Sequence, residues 1–140
     1  MTEDFIPNFI PTCGHQHFET ATGPRHLMFG PTVPEGEMWS LTLLAAKNNM
    51  TPDDYPQCRT TAEISVCVWI PPRPSSHEEL PPGEWVLLAG DASVPQFKPI
   101  KWEGILDLRP GTRLGAWFRG AQADDTLELD AIYDVETLSP

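Results

Sequence analysis

The chain has 140 residues, with 9 Lys and Arg against 20 Asp and Glu, a formal net charge of −11. That length suits one domain able to bury a core without disulfide staples, and 40% hydrophobic against 21% charged residues is not a disordered composition. Clustered Lys and Arg, which binding to a phosphate backbone needs, do not occur, and no apolar run approaches the roughly 20 residues of a membrane helix, so neither nucleic acid nor membrane is an expected partner.

Residues 1–14 carry Pro7 and Pro11 among Phe5, Ile6, Phe9 and Ile10. Proline this dense blocks helix and sheet interiors and favours extended backbone. The segment reads as an extended N-terminal arm, with Phe5, Ile6, Phe9 and Ile10 docking on the chain's own domain or on a neighbouring copy. The acidic start has neither the basic nor the apolar region of a signal peptide, which predicts a protein made in the cytoplasm. Cys13, Cys58 and Cys67 are odd in number and lack paired spacing, the usage of a reducing compartment.

From residue 15 onward the pattern is β. His17–Thr20 and His26–Phe29 are short strands around the Thr22-Gly23-Pro24 turn signal. In the next strand Trp39, Leu41 and Leu43 share one face and Ser40 and Thr42 the other. Ile64, Val66, Val68 and Ile70 alternate cleanly, with Ser65, Cys67 and Trp69 opposite. Residues 71–83 are a proline-rich loop, Trp85–Ala89 a strand, and Pro95 and Pro99 predict irregular extended chain around 92–101. Trp102, Leu106 and Leu108 lead into the Arg109-Pro110-Gly111-Thr112 turn. Leu114, Ala116 and Phe118 return, and Leu127, Leu129, Ala131, Tyr133 and Val135 then face one way while Glu128, Asp130, Asp134 and Glu136 face the other. This last third reads as a three-strand meander with one buried and one acidic, solvated face.

Seven or eight short strands with Pro- and Gly-rich turns predict an all-β chain: a single β-sandwich or jelly-roll-like domain over 15–140, preceded by the arm over 1–14. Sixteen prolines and three asparagines stiffen the loops and favour thermostability.

Candidate chemistry is sparse. Cys13, His15 and His17 point the same way on an extended strand, and a thiolate with two imidazoles suits Zn²⁺ or Fe²⁺. The His15-Gln16-His17 spacing is similar to the first metal motif of the cupins, themselves jelly rolls. Glu19 follows too closely for that motif and no histidine follows Gly90–Pro95, so no metal and no cofactor is expected, with these three as surface or cap residues. No nucleophile triad or phosphate-binding glycine loop is present, and no enzyme activity is expected. The pairs Asp53–Asp54, Glu78–Glu79 and Asp124–Asp125 lie in predicted turns and read as solvated. Trp69 and Trp117 face away from the aliphatic side chains of their own strands, which marks them as candidate interface residues on an exposed sheet face.

With its proline-rich arm from Phe5 to Pro11 and a compact acidic β-domain behind it, the chain resembles the decoration (cement) proteins of tailed-bacteriophage capsids. Trp102–Val135 also looks like the closing meander of phage structural β-domains. The resemblance covers most of the chain in pattern and carries no family residue across. It implies a virion structural protein, assembled in the host cytoplasm, that binds the major capsid protein on the outside of the shell as a homotrimer and stabilises it. Two other readings stand beside it: a carbohydrate-binding sandwich stacking sugars on Trp69 or Trp117, and a small cupin-like metal protein using His15 and His17.

Overall fold

Ile64, Val66 and Val68 are fully buried, and the strand that carries them is one of eight in a computed structural model that describes residues 12–49, 61–71, 84–95, 98–121 and 125–138. The strands are β1 (Thr12–Thr20), β2 (Arg25–Thr32), β3 (Glu37–Asn49), β4 (Thr61–Ile70), β5 (Glu84–Pro95), β6 (Ile100–Leu108), β7 (Arg113–Arg119) and β8 (Thr126–Thr137), with no helix among the described residues. They form two four-stranded sheets, β1-β8-β3-β6 and β2-β7-β4-β5, antiparallel throughout. The pairs β1–β8, β2–β7, β3–β6 and β4–β5 are those of one long hairpin, bent between β4 and β5 and rolled into two layers. This is the jelly-roll solution to closing an antiparallel sandwich, and the fold is an all-β sandwich as the sequence predicts.

The core lies between the layers. Leu41, Leu44, Leu127 and Leu129 from the first sheet meet Met28, Ile64, Leu114 and Phe118 from the second, all with essentially no exposure. Burying a side chain of this kind stabilises by roughly 1.5–3 kcal/mol relative to leaving it in water. At one end Trp39 stacks on Tyr133, ring centroids 3.9 Å apart and 11° from parallel, with the indole N–H donating to Glu37 Oε1 at 2.8 Å.

Several expectations are corrected. β6, β7 and β8 do not form a meander: β6 and β8 both pair with β3, while β7 sits in the other sheet between β2 and β4. The tight turn at Gly111 (φ +91°) carries the chain across the sandwich instead of back along a neighbour. Leu43 does not share the face of Trp39 and Leu41. The register of β3 against β8 slips between Leu41 and Leu43, and the bulge at Thr42 hands the inward position to Leu44 and Ala46. β5 runs on to Pro95 and β6 begins at Ile100, so much of 92–101 is strand, and the irregularity expected there is a register slip against β4 between Ala62 and Ile64. β1 begins at Thr12, inside the segment read as the arm; Phe5, Ile6, Phe9 and Ile10 lie outside the described residues. The acidic face of β8 is only partly solvated, since Glu128 is 5% exposed, and Asp125, read as a solvated turn acid, is fully buried.

Candidate functional site

The outward face of the β2-β7-β4-β5 sheet is built from residues whose inward neighbours fill the core. Across the strands Leu27 stands opposite Trp117, and Trp117 opposite Ser65. In the next row Phe29, Gly115, Cys67 and Leu87 are aligned, and in the next Arg113, Trp69 and Trp85. Small residues alternate with large ones, so the surface is dimpled. A hollow of about 330 Å³ is lined by Leu27, Ser65, Cys67, Trp85, Leu87 and Trp117. Among the described residues its lining side chains offer one hydroxyl, a thiol and two indole N–H groups to a ligand. Burial pushes the Cys67 thiol up to about 11, so the sulfur acts as a small apolar wall and not as a nucleophile.

One flank of the hollow is an aromatic cluster. Trp85 reaches Phe29 with ring centroids 5.6 Å apart, and the Arg113 guanidinium lies 4.0 Å above the Phe29 ring. That stacking leaves Arg113 Nε buried without a hydrogen-bond partner among the described residues. At the other end of β7, Arg119 faces Arg25 and lies 3.6 Å from Glu63. The face remains wet along its β5 edge: Trp85 is 39% and Leu87 64% exposed.

Trp69 and Trp117 thus lie on one outward face, both half-buried. Trp85 and Leu87, the most exposed members of the patch, were not singled out from the sequence. The signal for them is the unbroken run Trp85–Val86–Leu87–Leu88, which covers both faces of a strand with apolar side chains.

Cys13, His15 and His17 all lie on the inward side of β1, at the open edge of the sandwich. His15 and His17 stack with centroids 6.2 Å apart. His17 Nε2 is 2.8 Å from Glu19 Oε2, and His26 Nε2 of β2 is 2.7 Å from Glu19 Oε1. Burial pushes Glu19 up, but hydrogen bonds from His26 and His17 outweigh it and hold the carboxyl below its ordinary value. Both imidazoles are therefore committed to a carboxylate that ties the edge strand of one sheet to that of the other. Among the described residues no group of three or more His, Cys, Asp or Glu is arranged to hold a metal ion.

The outward face of the β1-β8-β3-β6 sheet carries more acids, set among the exposed apolar side chains of Phe18, Ile105 and Ile132. Asp107, Asp134 and Glu136 line a shallow polar hollow with Ser40 and Met38. Along β8, Glu128 accepts from Gln16 Nε2 at 3.0 Å and Asn49 Nδ2 at 2.8 Å, with Lys47 Nζ at 3.7 Å. Its neighbour Asp130 is pushed up to about 6, first by burial and then by the Glu128 carboxylate.

No family model and no curated protein matches the chain. Among solved structures it is similar to the crystal structure of the Yersinia pseudotuberculosis-derived mitogen (YPM), at 12% identity and a TM-score of 0.41, over 94% of this chain and 88% of that one. A likeness this loose carries no argument about function.

Proposed function

We propose that this protein is a non-enzymatic structural subunit of a tailed-phage virion, a homotrimer that binds the major capsid protein on the outside of the shell and stabilises it. The observation that carries the reading is the apolar, tryptophan-lined outward face of β2-β7-β4-β5, with Trp85 and Leu87 left in water. Such a face is a subunit contact waiting for its partner. The acidic outward face of the other sheet suits the opposite task of keeping an assembled coat soluble. In the same reading Phe5, Ile6, Phe9 and Ile10 reach a neighbouring copy.

A glycan platform is the weaker use of the same surface. Sugar rings need hydrogen-bonding groups beside the aromatic planes, and among the described residues the lining supplies the Ser65 hydroxyl, two indole N–H groups and a thiol.

Native mass spectrometry across a wide concentration range, paired with co-sedimentation on undecorated phage capsids, tests the proposal. A trimer that sediments with capsids is the expected result. A monomer at every concentration that leaves capsids bare overturns it.

A further inference from the structure

Resting on the reading of this protein as a self-associating subunit, we infer that the contact between copies is head-to-tail: Ile105 of one copy seats in the hollow lined by Leu27, Ser65, Cys67, Trp85, Leu87 and Trp117 of the next. Ile105 is 79% exposed, the highest value among the large hydrophobic side chains described. It stands on β6, one of the two edge strands of the first sheet, where Gly104 and Ile105 together face the single residue Thr42 of β3. The alternation of β6 turns it outward, an aliphatic knob on a strand whose other outward residues, Lys101, Glu103 and Asp107, are charged.

Knob and hollow fit in size and chemistry. An apolar cavity of roughly 150 Å³ accommodates a benzene ring, so about 330 Å³ takes one branched aliphatic side chain with part of its surroundings. The lining is apolar, and an isoleucine asks for no hydrogen bonds. Charge agrees as well. Glu103 and Asp107 flank Ile105 on the same outward face and are exposed, whereas Arg113 and Arg119 flank Gly115 and Trp117 along β7. Among the described residues Glu103 has only Lys101 nearby, at 4.0 Å in an exposed setting, and Arg119 has Glu63 at 3.6 Å, also exposed.

The competing arrangement packs two copies of the apolar sheet face against each other. It would bring together two like faces, each carrying Arg25, Arg113 and Arg119 with Glu63 as the acid beside them, and leave Ile105 in water. Opposite charges across a contact favour it over like charges, and the two faces used here carry them. Because the knob and the hollow are different surfaces, identical copies add in one sense, into a ring where the rotation closes and into an open filament where it does not. A trimer is one such closure.

The test uses two full-length variants, Ile105→Asp and Leu87→Asp. Both positions are well exposed (79% and 64%), so each variant folds, as circular dichroism and melting will verify. A carboxylate in an apolar contact is costly, and each substitution is expected to weaken association by about thirtyfold or more, the loss typical of a central anchor. Each variant alone is monomeric by native mass spectrometry. Mixed together they give a 1:1 heterodimer and nothing larger, because Leu87→Asp keeps its knob and Ile105→Asp keeps its hollow. An oligomer that survives Ile105→Asp but not Leu87→Asp overturns the head-to-tail contact and leaves the sheet face as the subunit interface. A wild-type closed dimer also overturns it. A wild-type monomer overturns self-association itself.

Discussion

The indole of Trp85 on β5 lies over Gly115 on β7, reaching across the intervening strand β4. A Cβ on Gly115 would stand 2.8 Å from Trp85 Cζ3 and 3.0 Å from the carbonyl oxygen of Met28. The absent side chain is thus the seat of the ring that forms one wall of the hollow. Gly115→Ala is expected to tilt Trp85 toward solvent, shift tryptophan emission to longer wavelength, and destabilise by about 1–2 kcal/mol through overpacking. Fluorescence and melting curves check this, with Trp85→Phe in the same background abolishing the spectral shift. Unchanged emission would mean that the ring does not depend on the glycine.

The bulge at Thr42 makes neighbouring leucines unequal. Leu44 is fully buried while Leu43 is not. Leu44→Ala is expected to cost about 2–5 kcal/mol in urea denaturation, and Leu43→Ala about 1 kcal/mol or less. Equal losses would show that the inward face does not change at the bulge.

Glu19 ties the two edge strands through His17 and His26. Its carboxyl is held below its ordinary value, so it binds fewer protons folded than unfolded. Its contribution is complete above about pH 4.5 and is lost as the pH falls through the folded value. Glu19→Gln is expected to cost about 1 kcal/mol at pH 7 and nearly nothing at the acid end. Denaturation at both pH values decides it; a loss independent of pH would point to shape and not to charge.

Asp130 behaves in the opposite sense. Its folded value near 6 exceeds the ordinary 3.8, so the folded state holds its proton more tightly. Stability then falls as pH rises between about 4 and 6, as the carboxyl ionises beside Glu128. Asn at this position keeps a donor for Glu128 without the charge. Asp130→Asn is expected to raise stability at pH 7 by roughly 1–3 kcal/mol and to leave it unchanged below pH 4. Denaturation across this range that shows no gain at neutral pH would mean that the two carboxylates do not share a proton.

The alternation of Ile64, Val66 and Val68, of Leu114, Ala116 and Phe118, and of Leu127, Leu129 and Ala131 was legible directly, and the core holds all nine. It follows that Trp69 and Trp117 point outward. Leu43 misleads because a bulge is set by the register of a partner strand, a relation between residues some ninety positions apart. Ile105 falls outward by the same alternation that turns Trp102, Leu106 and Leu108 inward, but nothing local announces that no neighbouring strand covers it, since β6 is an edge strand. Glu128 reads as a solvated acid because nothing local announces Gln16, Asn49 and Lys47 around it.

What the sequence by itself determined is the class of fold and the inward face of the regular strands, because a period of two is a property of each strand alone. Only the tertiary structure decided which strands pair, where the bulges fall, and that the outward apolar residues of β2, β4, β5 and β7 gather into one dimpled surface while the acids collect on the other sheet. A four-residue turn reads the same whether the chain folds back beside its neighbour or crosses to the opposite layer. That choice belongs to the packing of the two sheets, which buries far more apolar surface than any single turn can specify.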